Sequence, residues 1–177
     1  PGHVETVSAA GGVTFASKAG VNVIGVGNGS LRPTINFTAT AATMLLNAAN
    51  LTFRNLLFTG GIDAVVSTLV VSAADCWLDS CEYRDVTGQA TLFLLTTAAA
   101  DRLKITNFTH DGATAPGAAA SIAIVGGDGI IIDGAWFDGD FSVGAIDVRT
   151  TATTDIQVRN IIGRNRNAAD AILVDTI

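Results

Sequence analysis

Asp79 and Asp133 stand 54 residues apart in equivalent four-residue settings. Two carboxylates on one face can share the acid and base roles of a hydrolase. His110 precedes Asp111, the adjacency of a base and an acid that orients it. Residues 126–133 (GGDGIIID) approach a glycine–aspartate calcium loop. Such loops need an Asp where Ile131 stands and they need repetition, so a tight turn is the expected role. Residues 25–30 (GVGNGS) resemble a phosphate-cradling run, but no helix is expected after them to supply its dipole, so a turn is again expected. Cys76 and Cys81 are too few for a disulfide framework and are expected to be reduced core thiols. Asn28, Asn36, Asn50 and Asn107 open N-x-Ser/Thr triplets, which a Thr-rich chain produces by chance. No cofactor, metal or complete catalytic set is expected.

These residues sit in a chain of 177 residues that is 49% hydrophobic and only 15% charged, enough for one domain with a real core. It contains 28 Ala, 21 Thr and 19 Gly but only 2 Lys and 2 Glu. Surface helices draw on Lys and Glu, so a helical bundle is excluded. A net charge of -6 argues against nucleic acid, which needs clustered Lys and Arg. No apolar run reaches the roughly 20 residues of a membrane helix. No signal peptide is visible, and the start at Pro1 without Met suggests a processed or partly ordered chain.

What could position the candidates is a repeat. Segments beginning at 21, 51, 76, 103, 130 and 156 share one pattern, with apolar residues at positions one, three and six. Position five reads Gly25, Asn55, Ser80, Asn107, Gly134 and Asn160. Gly and Asn tolerate a left-handed backbone, so position five is expected to be a sharp bend between two short strands. A third strand recurs around residues 44–46, 69–71, 92–95, 122–125, 145–148 and 171–174. No helical stretch separates the strands, which excludes a βαβ sheet. The expected fold is all-β, a right-handed parallel β-helix of about six to seven coils with three short strands per coil. One domain spans 1–177, with an opening segment and partial coil over 1–20 and regular coils over 21–177. At about 4.8 Å per coil, six coils make a rod of roughly 30 Å.

Stacking places equivalent residues over one another. Position six gives Val26, Leu56, Cys81, Phe108, Ala135 and Ile161, expected inward. Two residues on come Phe58, Tyr83, His110 and Phe137, an expected inward aromatic row that makes His110 a core histidine. Outside, Arg54 is expected beside Asp79, Asp133 beside Arg159, Arg84 beside Asp111 and Asp138 beside Arg164. Asp79 and Asp133 then stand two coils apart, about 9.6 Å, near the separation of an inverting glycosidase. The flanking Arg54 and Arg159 would hold both ionised and deny the pair a general acid, so a surface charge ladder is the expected role.

The bend column Asn55, Asn107, Asn160 resembles the asparagine ladder of the pectate-lyase-like right-handed β-helix superfamily, over roughly residues 13–177. The first coil, PGHVET and then KAGVNVIGVG from Lys18, is similar to β-helix proteins encoded in tailed-phage structural gene clusters. The fold hosts lyases, hydrolases and inert spikes, so the likeness speaks for fold more than for function. The lyases carry Asp clusters for calcium with an Arg base. The polygalacturonases carry paired Asp, Gly-His-Gly and Arg-x-Lys. None of these sets stands in this chain.

In carbohydrate-active members the outer face of the third-strand sheet is the binding groove. Alternation here sends Leu45, Val70, Phe93, Leu95, Val125 and Leu173 outward, with Asp147 as the main acid. Trp77, Ile131, Leu57 and Trp136 are expected outward on the other strands. A continuous apolar column is an interface signal, although overlying loops would also explain it. Both solenoid ends expose strand edges that call for a cover. The resulting expectation is a non-enzymatic structural protein of a phage virion, a homotrimer or a partner of other virion proteins, decorating the head or forming a spike. The alternative is a polysaccharide-binding or depolymerising β-helix such as a tailspike fragment, and a third class is a secreted adhesin fragment. Nucleic acid and membrane are not expected partners.

Overall fold

The computed structural model describes every residue except 1, 61, 86–91, 113–116, 150–152, 170–172 and 177. Its strands are two to five residues long and form three parallel sheets. Sheet A contains β1 (Val4–Val7), β4 (Thr34–Phe37), β7 (Leu57–Gly60), β10 (Glu82–Arg84), β13 (Thr109–Asp111), β16 (Trp136–Gly139) and β19 (Ile162–Asn165) in that order. Sheet B contains β2 (Val13–Thr14), β5 (Met44–Leu46), β8 (Ser67–Val71), β11 (Leu92–Thr96), β14 (Ala120–Ile124), β17 (Ile146–Val148) and β20 (Val174–Thr176). Sheet C contains β3 (Asn22–Ile24), β6 (Thr52–Arg54), β9 (Trp77–Asp79), β12 (Lys104–Thr106), β15 (Ile131–Asp133) and β18 (Gln157–Arg159). Each strand pairs with the strand three places on, so the chain is a parallel β-helix with three strands per coil. Residues 1–20 contribute β1 and β2, which pair in register with β4 and β5. Residues 171 and 172, expected to open the last third strand, lie outside the described residues.

The coil closes because the backbone turns sharply at fixed places. Position five is left-handed at Asn55 (φ 56°), Ser80 (54°), Asn107 (52°), Gly134 (71°) and Asn160 (53°). Each of the first four donates its N–H to position four of the next coil, as Asn107 does to Asp133 at 3.0 Å. A second left-handed column precedes position one: Gly20, Asn50, Asp75, Arg102, Gly129 and Asp155. Two bends therefore bracket every three-residue strand of sheet C from its second residue repeat onward.

Gly25 departs from the expected bend. It does not share the left-handed φ, and a Cβ there would lie 2.1 Å from the Asn55 carbonyl oxygen. Close backbone approach is what requires glycine at this position. Without the bend the chain does not turn inward, and Val26 is 80% exposed, contrary to its expected core position. A three-residue 3-10 helix, Gly29–Leu31, fills the longer first spacing.

The core fills the inside of the coil. Ile35, Phe58, Tyr83, His110, Phe137 and Gly163 follow one another along sheet A. Phe58, Tyr83, His110 and Phe137 are fully buried. Phe93, expected outward, is also fully buried: its ring stacks 4.8 Å from Tyr83 and 4.9 Å from Phe108. Phe93 and Leu94 both join the core, so alternation fails at this step of β11. The same break places Thr68 and Ser121 inside, and the Thr68 hydroxyl donates to the Phe93 carbonyl at 2.5 Å.

Candidate functional site

The outer face of sheet C carries the main polar network. Alternation sends positions two and four outward, and register stacks Arg54, Asp79, Thr106, Asp133 and Arg159 in one column. Asp79 accepts from the Thr106 hydroxyl at 2.8 Å and the Asn107 amide at 3.1 Å. Arg54 Nε lies 2.9 Å from its other oxygen, an ion pair off the hydrogen-bond line. Asp133 accepts from Arg159 at 2.9 Å and from the Asn160 amide at 2.7 Å. Burial pushes the Asp79 carboxyl upward, but Thr106, Asn107 and Arg54 together hold it below its ordinary value. Hydrogen bonds from Asn160 and Arg159 lower Asp133 in the same way. Both carboxylates are thus ionised, each held by an arginine and an amide, and neither holds a proton to give.

The asparagines of the bend do not form a continuous amide ladder, because Ser80 and Gly134 interrupt it. Asn107 and Asn160 donate instead to the aspartates of the preceding coil. Asn55 donates to the carbonyls of Gly25 at 3.0 Å and Gly27 at 2.8 Å. Beside the second bend column a further series caps amides. Asp101 accepts from the Asp128 N–H at 3.0 Å, and Asp128 accepts from the Thr154 N–H at 2.7 Å. Residues 126–133 therefore lie in the turn and strand of one coil.

On sheet A, Asp138 accepts from both Arg164 and Arg166. Burial works to raise its carboxyl, and the two guanidiniums hold it below the usual range. Arg84 adjoins Asp111 in register but pairs with Glu82 of its own strand, which Arg32 also binds. His110 is not partnered by the exposed Asp111. Its Nε2 faces Asp85 at 3.4 Å, with both side chains buried and the rings of Tyr83 and Phe141 5.0 Å away.

The expected apolar column on sheet B is shorter than its sequence suggests. Register stacks Thr14, Leu45, Val70, Leu95, Ala123, Asp147 and Asp175. Leu45, Val70 and Leu95 are half-buried, Ala123 is buried, and Arg149 pairs with Asp147. Leu95 packs with Leu92, Ala119, Ala120 and Ala123 in a small cluster outside the main core. Val125 lies past the end of β14 and is exposed, outside the column. Leu173 packs against the core. On the other sheets Leu57 is buried, Trp77 and Ile131 are half-buried, and Trp136 is exposed.

Trp77 forms part of a cleft of about 200 Å³ with Asn50, Thr52, Asp75, Cys76, Arg102 and Lys104. Its indole N–H donates to Thr106 at 2.8 Å, and the Arg54 guanidinium lies 5.1 Å from the ring centroid. Arg102 and Asp75 form a two-pronged pair at 2.7 and 2.8 Å. The cysteines are buried and unbridged. Burial pushes the Cys76 thiol up and Cys81 up to about 11. Among the described residues no three His, Cys, Asp or Glu side chains converge on a metal position. Comparison with protein-family models, curated proteins and solved structures finds no match to this chain.

Proposed function

We propose that this chain is a structural module, a rigid β-helix rod acting within a larger assembly rather than as a catalyst. The observation that carries the reading is the state of its best-placed acids. Asp79 and Asp133 are each held by an arginine with an amide or hydroxyl donating as well, and Asp138 is held by two arginines. Such groups stiffen the coil stack and have no free proton chemistry to offer. The likeness of the first coil to tailed-phage β-helix proteins makes a virion the assembly, with the Leu45, Val70, Leu95 column meeting a second copy in a trimer or another virion protein. A panel of acidic and neutral glycans tests the non-catalytic reading: no cleavage is expected, and cleavage lost in Asp79→Asn or Asp133→Asn with the fold retained would overturn it.

The Trp77 cleft favours a second reading, glycan binding without cleavage. A half-buried indole beside Lys104, Asn50 and Asp75 offers a stacking face and polar groups to a sugar ring. Trp77→Ala would abolish retention on a glycan that the parent binds.

A further inference from the structure

Of the asparagines in the chain, Asn28 alone is followed by glycine. Asn28 is exposed and opens the three-residue 3-10 helix with an extended backbone (φ -126°, ψ 152°), and its side chain makes no capping bond. Gly29 lies at φ 55°, and nothing stands within 4 Å of where its Cβ would be. The first N–H of a helix has no partner inside it, and the Gly29 N–H finds none outside it among the described residues. Aspartates that precede glycine are held differently. The N–H groups of Gly112, Gly129 and Gly134 donate to the carbonyls of Asp138, Thr154 and Arg159 in the next coil, at 2.6, 3.1 and 3.2 Å. Asp138, before Gly139, is held by Arg164 and Arg166.

We propose that Asn28 is a site of spontaneous modification, at which the folded chain turns this asparagine into aspartate and isoaspartate. The Gly29 nitrogen attacks the side-chain carbonyl carbon of Asn28. A new C–N bond closes a succinimide ring, the bond to the side-chain nitrogen breaks, and that nitrogen leaves as ammonia with the proton lost from Gly29. Water then adds to either ring carbonyl, its hydroxyl going to carbon and its proton to the ring nitrogen or the freed carboxylate's medium as that C–N bond breaks. Ring closure turns the Asn28–Gly29 peptide plane and gives up the Leu31 N–H bond to Asn28 at 3.0 Å, a small loss for a helix of one turn. Elsewhere the same turn would tear a backbone group out of the coil stack. The loop is pinned on both sides, by the Asn55 amide on the Gly27 carbonyl at 2.8 Å and by the Arg32–Glu82 ion pair. An isoaspartyl link adds a main-chain atom and a negative charge between those pins, so the modified rod has an altered first coil. The inference stands apart from the virion reading.

The full chain is held in mildly alkaline buffer, folded and in parallel in urea. Peptide mass spectrometry follows the exchange of amide for acid, and an isoaspartate methyltransferase reports the isoaspartyl product. In the folded chain the peptide carrying Asn28 should convert, with the other asparagines at least ~10-fold slower because their backbones open only with the coils around them. Asn28→Gln should abolish the isoaspartyl signal. Gly29→Val, shown to be folded by circular dichroism, should slow conversion about tenfold, because a branched side chain crowds the attacking nitrogen. Survival of Asn28 in the folded chain, whatever happens in urea, or equal rates in the parent and Gly29→Val, would overturn the inference.

Discussion

Asn107, in the bend of one coil, donates its side-chain amide to Asp79 of the preceding coil at 3.1 Å. Asn160 repeats the relationship with Asp133 at 2.7 Å. The residue that turns the chain thus also satisfies the carboxylate of the coil before it. Bend and charge ladder are one device, which ties the backbone geometry of the rod to the chemistry of its outer face.

Asn107→Val should destabilise the chain by about 1–2 kcal/mol, because a β-branched residue is strained at φ 52°. Asn107→Gly keeps the backbone free and loses only the amide, so it should lie between the parent and the valine variant. Denaturant midpoints of the three proteins check the order. An unchanged midpoint for Asn107→Val would remove the bend from the account.

Acid should weaken the rod. Asp79, Asp133 and Asp138 have folded-state values below the ordinary carboxylate value. Their contribution is complete above the unfolded value of about 3.9 and is lost as pH falls through the folded values. Thermal midpoints should therefore fall below about pH 4, and the Asp79→Asn/Asp133→Asn double variant should show a shallower fall. Equal slopes in parent and variant would contradict the assignment.

Cys76 and Cys81 should resist thiol reagents at pH 8 in the native chain. Both are buried, and Cys81 is pushed up to about 11, so thiolate is scarce and access is closed. Labelling followed by mass spectrometry should show modification only after unfolding. Rapid labelling of the folded chain would place either thiol at the surface.

Much of this architecture is legible in the repeat itself. Its period located the sheet C strands and the left-handed bends from Asn55 onward, and the aromatic row followed from counting two residues past position six. The second bend column was hidden by its composition. Arg102 and Asp75 do not advertise a left-handed backbone as Gly20, Asn50 and Gly129 do, although all of them directly precede position one. Phe93 was misplaced because two successive residues of β11 face inward, and strict alternation cannot register such a step. Val26 was misplaced because Gly25 serves close approach to Asn55 and not a turn. The partner of His110 was illegible because Asp85 lies a full coil away in sequence, while Asp111 sits next to it.

The claim that the rod works by assembly is tested most directly by its mass in solution. Light scattering of the parent beside Val70→Asp, both shown to be folded by circular dichroism, gives the answer. Val70 is half-buried at the centre of the Leu45, Val70, Leu95 column, where a charge is costly in a dry contact. A parent mass near three chains and a variant mass near one are expected. A parent that is already a single chain, or a variant that assembles as fully as the parent, would contradict the account.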